Sequence, residues 1–460
     1  MAEKTEMNSY SQITPEIKKL AEVCKAHNNI DPELYTKYDV KRGLRDLNGK
    51  GVLTGLTEIA EVKSYTIDDD EMVPCPGKLY YRGYDIEDLV KGCVKEKRFG
   101  YEEVAYLLIF GKLPNESELA EFKGILGGYR SLPTNFVRDI IMKAPSSDMM
   151  NTLSRCVLTL YAYDDNPDDI SIENVLRQCI QLTAVMPLFA AYGYQTYEHY
   201  IKGKSLVIHQ PSAEMSTAET ILHLLRSDGE FSEFEAFVLD LCLILHADHG
   251  GGNNSAFTTR VVTSSHTDTY SAISAALASL KGPRHGGANI KVMQMMDYLK
   301  ENVKDWNDDE EITFQLTRIL DGEVFDKAGL IYGIGHAVYS MSDPRAEILK
   351  KFVKQLSEIK GYGDVMGLYE KVEALAPGVI MKKRKMYRAD ICVNIDFYSG
   401  LVYEMLGIPR ELYTPIFAIA RTAGWSAHRI EELVSNGKII RPAYKSVTKH
   451  VKYVPMSERK

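Results

Sequence analysis

The stretch FSEFEAFVLDLCLILHADHGGGN, from Phe231 to Asn253, joins an apolar helical pattern to a polar, glycine-rich turn. Apolar residues lie on nearly every side of the helix that its first part predicts, as in a helix buried in a large core. Two histidines, an aspartate and three glycines follow at once. The stretch therefore predicts a helical core with a polar site at the end of one of its helices.

Helical patterns dominate the rest of the chain as well. Thr14 is a predicted N-cap with Pro15 at the first helical position, and Asp343 and Pro344 begin another helix in the same way. The segment TDTYSAISAALASL, 267–280, is rich in alanine and serine, so neighbouring backbones can approach this predicted helix closely.

Strand patterns are confined to GVLTGLTEIAEV, 51–62, and KLYYRGYDI, 78–86. The polar stretch ENVKDWNDDEEI, 301–312, is interpreted as a loop or a helix entry and not as a domain linker. We therefore expect a mostly α protein with minor β structure near the N-terminus.

Composition narrows the class of protein further. The 460 residues are 45% hydrophobic, which is enough for one large two-lobed unit or for two to three domains. A net charge of −8 argues against a general nucleic-acid binder. The seven dispersed cysteines, the absence of a signal or transit pattern and the lack of a membrane-length apolar run predict a cytoplasmic protein that does not bind a membrane.

Helical geometry tests whether HADH forms a metal site. On a continuing helix His246 and His249 share a face, whereas Asp248 projects about 200° from His246, so the three cannot converge on one ion. A metal hydrolase remains an alternative class, but we expect no metal. His246 and Asp248 are interpreted as a satisfied helix-end histidine and a local cap, whereas Gly250–Gly252 allow a ligand to approach beside His249.

Three further segments place polar residues in settings that favour chemistry. KGPRHGGAN sets His285 in a glycine-rich loop, and GIGHAVYSMSDPR sets His336 before Arg345, which opens a helix where an anion is favoured. VNIDFYSGLVYEML places Asp396 in an apolar helix, where a carboxylate is either paired or raised in pKa for proton transfer. Each segment also has a purely structural alternative: a helix connection for His285, a helix start with a solvated side chain for Arg345, and a buried ion pair for Asp396.

Two more arginines complete the set. Arg421 lies in the apolar helix PIFAIARTAGWSAH, and Arg441 lies in IIRPAYK. Buried arginines usually meet carboxylates, which belong either to the protein or to a substrate. Three histidines, one buried aspartate and three arginines together suit proton abstraction beside a polarised carbonyl on a multiply charged acid.

Five ordered blocks, HADHGGGN, GPRHGGAN, GIGHAVYSMSDPR, NIDFYSG and FAIARTAGWSAH, resemble the citrate synthase family, with the match running from KGVLTGLTEI through RPAYK. The resemblance implies a homodimeric acyltransferase that condenses acetyl-CoA with oxaloacetate and hydrolyses citryl-CoA, the entry step of the tricarboxylic acid cycle. It also implies a helical fold with a large domain, 1–287 and 411–460, and an inserted small domain, 288–410. No cofactor is expected besides the acetyl-CoA substrate.

The family's site residues carry over to matching positions. Asp396 matches the general base, His285 matches the histidine that stabilises the enol, and His336 matches the histidine that polarises the oxaloacetate carbonyl. The remaining matches are the oxaloacetate binders His249, Arg345 and Arg421, the arginine from the neighbouring subunit, Arg441, and the residues lining the CoA side, Leu330, Gly333, Gly335 and Asn394.

The chain also departs from familiar members of the family. Tyr339 to Ser342 stand where the animal-type pattern has a basic pair, which removes a CoA-phosphate contact, and the first fifty residues match no block of the family. They do not resemble the β-rich regulatory extension of hexameric members, so NADH inhibition is not expected. The alternative within the class is 2-methylcitrate synthase, which uses propionyl-CoA, because one methylene is weakly discriminated. A catalytically silent scaffold is the third class.

Overall fold

The computed structural model describes residues 11–46, 50–68, 71–335, 339–385 and 391–459. The chain divides into two compact units, Met1–Leu56 and Thr57–Lys460. The first unit contains helices α1 (Pro15–His27) and α2 (Glu33–Lys37). Thr14 caps α1 as predicted, since its hydroxyl oxygen accepts a hydrogen bond from the Ile17 amide at 3.3 Å.

The second unit begins with a three-stranded antiparallel sheet, β1 (Ala60–Asp68), β2 (Glu71–Tyr81) and β3 (Tyr84–Asp85), in that spatial order. Strand structure over 78–86 is confirmed. The strand predicted over 51–62 begins only at Ala60, which pairs with Tyr81. Pairing with β2 decides where β1 starts, and local sequence preference does not.

The regular elements of the remaining described residues are helices, which confirms the mostly α class. They are α3 (Ile86–Glu96), α4 (Tyr101–Phe110), α5 (Glu116–Gly128), α6 (Met149–Leu160), α7 (Ile172–Tyr200), α8 (Thr217–Leu225), α9 (Glu233–His246), α10 (Asn254–Thr263), α11 (Thr269–Lys281), α12 (Ala288–Asn302), α13 (Asp309–Leu320), α14 (Pro344–Lys360), α15 (Gly363–Arg384), α16 (Ile395–Met405) and α17 (Tyr413–Val434). Short helical turns lie at Arg42–Leu44, Val137–Ile141, Tyr161–Tyr163, Arg410–Leu412 and Met456–Glu458.

Helix α7 forms the middle of the core and packs against α6, α8 and α17. Within the described parts of the chain it is the one helix long and apolar enough to cross a membrane, but 83% of its most apolar window is buried inside the fold. Its environment is therefore that of a core helix.

Helix α9, from the stretch that opened the sequence, is buried along its length as predicted. Ser232 and Glu235 form a capping box at its start, and the helix ends at His246. Gly250–Gly252 were expected to end this helix, but it ends earlier, at His246, so His249 lies beyond the helix end. The chain turns there, and Gly250 adopts a φ of +80° that glycine tolerates without strain.

The helices around α7 form a first group. A second group, α12 to α16, packs mainly within itself, with α14 on α15 and α16, α13 on α15, and α12 on α16. Helix α9 contacts both this group and α17. Both groups lie in the unit Thr57–Lys460, and the boundaries of the small domain at 288 and 410 stay a prediction.

The approach of α6 to α7 depends on Gly193. A Cβ at this position would lie 2.8 Å from the Cγ2 atom of the buried Thr152. We expect Gly193→Ala to lower the free energy of unfolding by about 1–3 kcal/mol, because a branched side chain cannot yield easily. Gly367→Ala on α15 is the control, since no atom lies within 4 Å of its Cβ. Thermal unfolding of the two variants measures the difference, and equal midpoints would contradict the packing argument.

Candidate active site

The turn after α9 carries the first histidine of the candidate site. His249 is buried, and its ring packs edge-to-face on Tyr339 with the centroids 5.5 Å apart. Tyr339 was interpreted from the sequence only as the loss of a CoA contact. Its side chain is in fact buried and also lies beneath the Arg345 guanidinium, 5.8 Å from the ring centre. Tyr339 therefore lies between His249 and Arg345.

Arg421 on α17 is fully buried and faces the same turn. Its Nε atom donates to the His246 carbonyl at 2.7 Å, and its guanidinium stacks on Phe417 at 4.7 Å. Among the residues that the structure describes, neither Nη1 nor Nη2 has a hydrogen-bond partner. Burial lowers the pKa of Arg421 to about 10, so the group stays cationic at neutral pH. Two buried donors on a cation are complementary to a carboxylate.

Arg345 lies in the first turn of α14, as predicted, but it is buried and not solvated. The N-cap Asp343 accepts from the Arg345 amide at 3.0 Å and from its Nε and Nη2 atoms at 3.0 and 2.7 Å. Asp343 also accepts from the Ile395 amide at 3.3 Å. This carboxylate therefore fixes the arginine and ties α14 to the start of α16.

Asp396 lies in the first turn of α16, next to the N-cap Asn394, whose side chain accepts from the Asp396 amide at 3.0 Å. Asn394 is joined to the preceding glycine loop by bonds to the Gly333 carbonyl at 2.9 Å and the Gly335 carbonyl at 3.1 Å. Burial raises the pKa of Asp396 to about 6, although the charges of Arg345 and Arg421 oppose the shift. A carboxylate with this pKa suits a general base at neutral pH.

His285 lies between α11 and α12, and its Nε2 atom is 3.0 Å from the Ser255 hydroxyl. The same hydroxyl accepts from Trp425 Nε1 at 3.1 Å, so the Ser255 hydroxyl on α10 that contacts the imidazole is itself fixed by α17. Burial, and then the charge of Arg421, lower the pKa of His285 to about 4. The ring is therefore neutral at pH 7 and can donate a hydrogen bond without carrying charge.

Five predicted residues are brought together by these contacts: His249, His285, Arg345, Asp396 and Arg421. The aromatic ring of Phe417 links the group, since its centroid lies 4.8 Å from the His246 ring and 6.2 Å from the His285 ring. His246 Nδ1 donates to the Cys242 carbonyl at 2.8 Å, as a satisfied helix-end histidine does. Sequence reasoning missed Ser255, Trp425 and Phe417, although all three lie inside or beside the quoted blocks.

The remaining predicted positions have different settings. His336 lies outside the described residues. Gly333 and Gly335 adopt φ angles of +77° and +86°, and Leu330 is 44% exposed beside them. Arg441 lies in an exposed segment that follows α17. Its role stays a prediction, as do the roles of the CoA-side residues.

A helical fold that gathers a carboxylate of raised pKa, a neutral histidine and buried arginines at a helix end defines an enzyme site for an anionic substrate. The family model described as "Citrate synthase, C-terminal domain" matches residues 47–443. The citrate synthase of Haloferax volcanii is 35% identical, with 92% of this chain and 99% of that protein covered. The 2-methylcitrate synthase 1 of Corynebacterium glutamicum is 31% identical, with 91% and 98% covered.

Solved structures give the same result. The ternary complex of citrate synthase from Thermoplasma acidophilum with carboxymethyl-CoA and oxaloacetate matches with a TM-score of 0.73 and 27% identity, covering 91% of this chain and 99% of that one. The chain belongs to the citrate synthase family and is an acyltransferase. The resemblance read from the five sequence blocks is confirmed.

The pKa of Asp396 predicts the acid limb of the pH–rate profile. The base acts only when ionised, so kcat/KM for the acyl-CoA substrate should fall as pH drops through about 6. His285 remains neutral down to about pH 4 and does not contribute to this limb. Initial rates between pH 4.5 and 8, after a check that the enzyme survives each pH, measure it. A limb centred near 4 would contradict the assigned environment of Asp396.

Proposed function

We propose that this enzyme is a citrate synthase that condenses acetyl-CoA with oxaloacetate and hydrolyses the resulting citryl-CoA to citrate and CoA. The observation that carries the proposal is the pair of unsatisfied donors on the buried Arg421, close enough for its charge to act on Asp396. A buried cation selects an anionic substrate, and a carboxylate of pKa near 6 beside it can remove a weakly acidic proton.

Each group has a defined part in the proposed reaction. Arg421, Arg345 and His249 hold the carboxylates of oxaloacetate, while Asp396 takes a methyl proton from the acetyl thioester. His285 donates a hydrogen bond to the thioester oxygen, so that the enol forms without a full negative charge. The enol carbon then bonds to the ketone carbon, whose oxygen gains a proton, and the proposed polarising group there is His336. Water finally cleaves the thioester and releases CoA as its thiol.

A homodimer is part of the proposal, with Arg441 entering the neighbouring active site. The segment 437–455 that contains this arginine has no helix or strand, and it exposes Tyr444 and Tyr453 at 95% and 80%. Large aromatic side chains so exposed are suited to cover by a second copy. The entry step of the tricarboxylic acid cycle and a cytoplasmic location complete the proposal, with no cofactor or metal, nucleic acid or membrane.

The second candidate is 2-methylcitrate synthase, which the similarity to the 2-methylcitrate synthase 1 of Corynebacterium glutamicum favours. We expect thiol release on mixing oxaloacetate with acyl-CoA to give a higher kcat/KM with acetyl-CoA than with propionyl-CoA. One methylene changes such a ratio by about 10- to 200-fold at most, so both substrates must be measured. Asp396→Asn is the matched inactive control. A preference for propionyl-CoA would replace the first candidate by the second.

Arg421 provides a separate test of the oxaloacetate assignment. Arg421→Gln removes the cation, and KM for oxaloacetate should rise by about 30-fold or more, as for the loss of a buried charge pair. Arg318→Gln is the control, because Arg318 lies on α13, is partly exposed and pairs only with the exposed Glu323 among the described residues. Steady-state kinetics at saturating acetyl-CoA measure both variants. An unchanged KM in Arg421→Gln would refute the role.

A further inference from the structure

A chain of buried polar side chains lies beneath the turn that carries His249. Asp248 Oδ1 is 3.0 Å from His428 Nε2, and His428 Nδ1 is 2.9 Å from Arg260 Nη2 and 3.2 Å from Arg260 Nε. All three residues are buried. Arg260 continues the chain to Glu431 and to Glu432, the latter at 3.2 Å. None of these groups has a part in the proposed reaction.

The chain has only one consistent arrangement of protons. A guanidinium donates and cannot accept, so His428 Nδ1 must be the acceptor for Arg260. The single ring proton of a neutral His428 therefore lies on Nε2 and is donated to Asp248. Burial by itself would raise the pKa of Asp248, but its contact with His428, the charge of Arg421 and the Gly250 amide lower it. Asp248 is thus an ionised acceptor.

Asp248 fixes the backbone that follows His249. Its Oδ2 atom accepts from the Gly250 amide at 2.7 Å, directly after the histidine. A Cβ at Gly424 would lie 2.4 Å from the Ala247 carbonyl oxygen and 2.6 Å from Asp248 Oδ1. The turn therefore rests against the backbone of α17 at Gly424.

Helix α17 contributes two side chains, Arg421 and His428, that bind the turn. Arg421 and His428 are seven residues apart, two helical turns, and so lie on one face of α17 with Gly424 between them. Arg421 binds the His246 carbonyl, and His428 binds Asp248. The turn with His249 is thus joined to α17 before and after Gly424.

We propose that Asp248, His428 and Arg260 are positioning residues for oxaloacetate, which hold His249 and Arg421 at a fixed separation. The proposal rests on the proposed function, because it assigns oxaloacetate to these two groups. Within the described residues, Asp248, His428 and Arg260 form no side-chain hydrogen bond with Asp396 or His285. Its loss should therefore affect oxaloacetate binding and leave the acyl-CoA side unchanged.

His428→Leu tests the proposal by removing both hydrogen bonds of the ring. We expect KM for oxaloacetate to rise by about tenfold to a hundredfold, as for a binding group displaced by about 1 Å, with KM for acetyl-CoA unchanged. His428→Gln should restore most of the affinity, because its amide can accept from Arg260 and donate to Asp248. A purely structural role predicts no such rescue and no selectivity between the substrates.

Arg429→Met is the matched control. Arg429 is the next residue of α17 and is equally buried, but it donates to Thr263, Thr269 and the Thr267 carbonyl, away from the turn. This variant should lower the unfolding temperature without a selective rise in KM for oxaloacetate. A rise equal to that of His428→Leu would overturn the proposal.

Asp248→Asn is a second test of the proposal, and it remains usable if His428→Leu does not fold. The asparagine keeps the shape but can accept from only one of its two donors, so KM for oxaloacetate should rise. The double variant that combines Asp248→Asn with His428→Leu should raise KM for oxaloacetate no further than the more impaired single variant does. Both changes break the same chain of hydrogen bonds. An unchanged KM for oxaloacetate in Asp248→Asn, or fully additive effects in the double variant, would overturn the proposal. Absence of thiol release by the wild-type enzyme would instead refute the proposed function itself.

Discussion

The guanidinium of Arg421 is buried in the core with two donors unsatisfied among the described residues, and the site is built around that charge. A buried cation is costly, and the protein offsets only part of the cost with the His246 carbonyl and the face of Phe417. The Asp248 carboxylate, which the cation influences, is held by His428 and the Gly250 amide. The two Arg421 donors that have no partner among the described residues are complementary to a carboxylate.

The same burial sets the protonation states of the catalytic groups in opposite directions. Desolvation raises the pKa of Asp396 to about 6 and lowers that of His285 to about 4, because it disfavours whichever form carries charge. Arg421 reinforces the shift of His285 and opposes that of Asp396. An ionised carboxylate and a neutral imidazole therefore coexist at neutral pH, which is the pairing that the proposed enolisation of a thioester needs.

Much of the fold could be predicted from local patterns. Apolar residues on all sides predict helix α9, and the caps Thr14 and Asp343 predict the starts of α1 and α14. These signals can be recognised because they act within a few residues. The five sequence blocks likewise contain Asp396, His285, Arg345 and Arg421, which the structure brings together. The end of α9 was misplaced, because the chain there is bound by Tyr81 and by Asp248 itself rather than by helix propensity.

The sequence by itself determined the helical class and the family, and it supplied the candidate site residues, since these depend on residue type and order. Only the tertiary structure decided what surrounds them: Ser255 and Trp425 behind His285, Tyr339 between His249 and Arg345, and His428 against Asp248. The last pair is 180 residues apart in the chain. Contacts of that range arise from the packing of α9, α10 and α17, and no local pattern encodes the distance or the burial that tunes each charge.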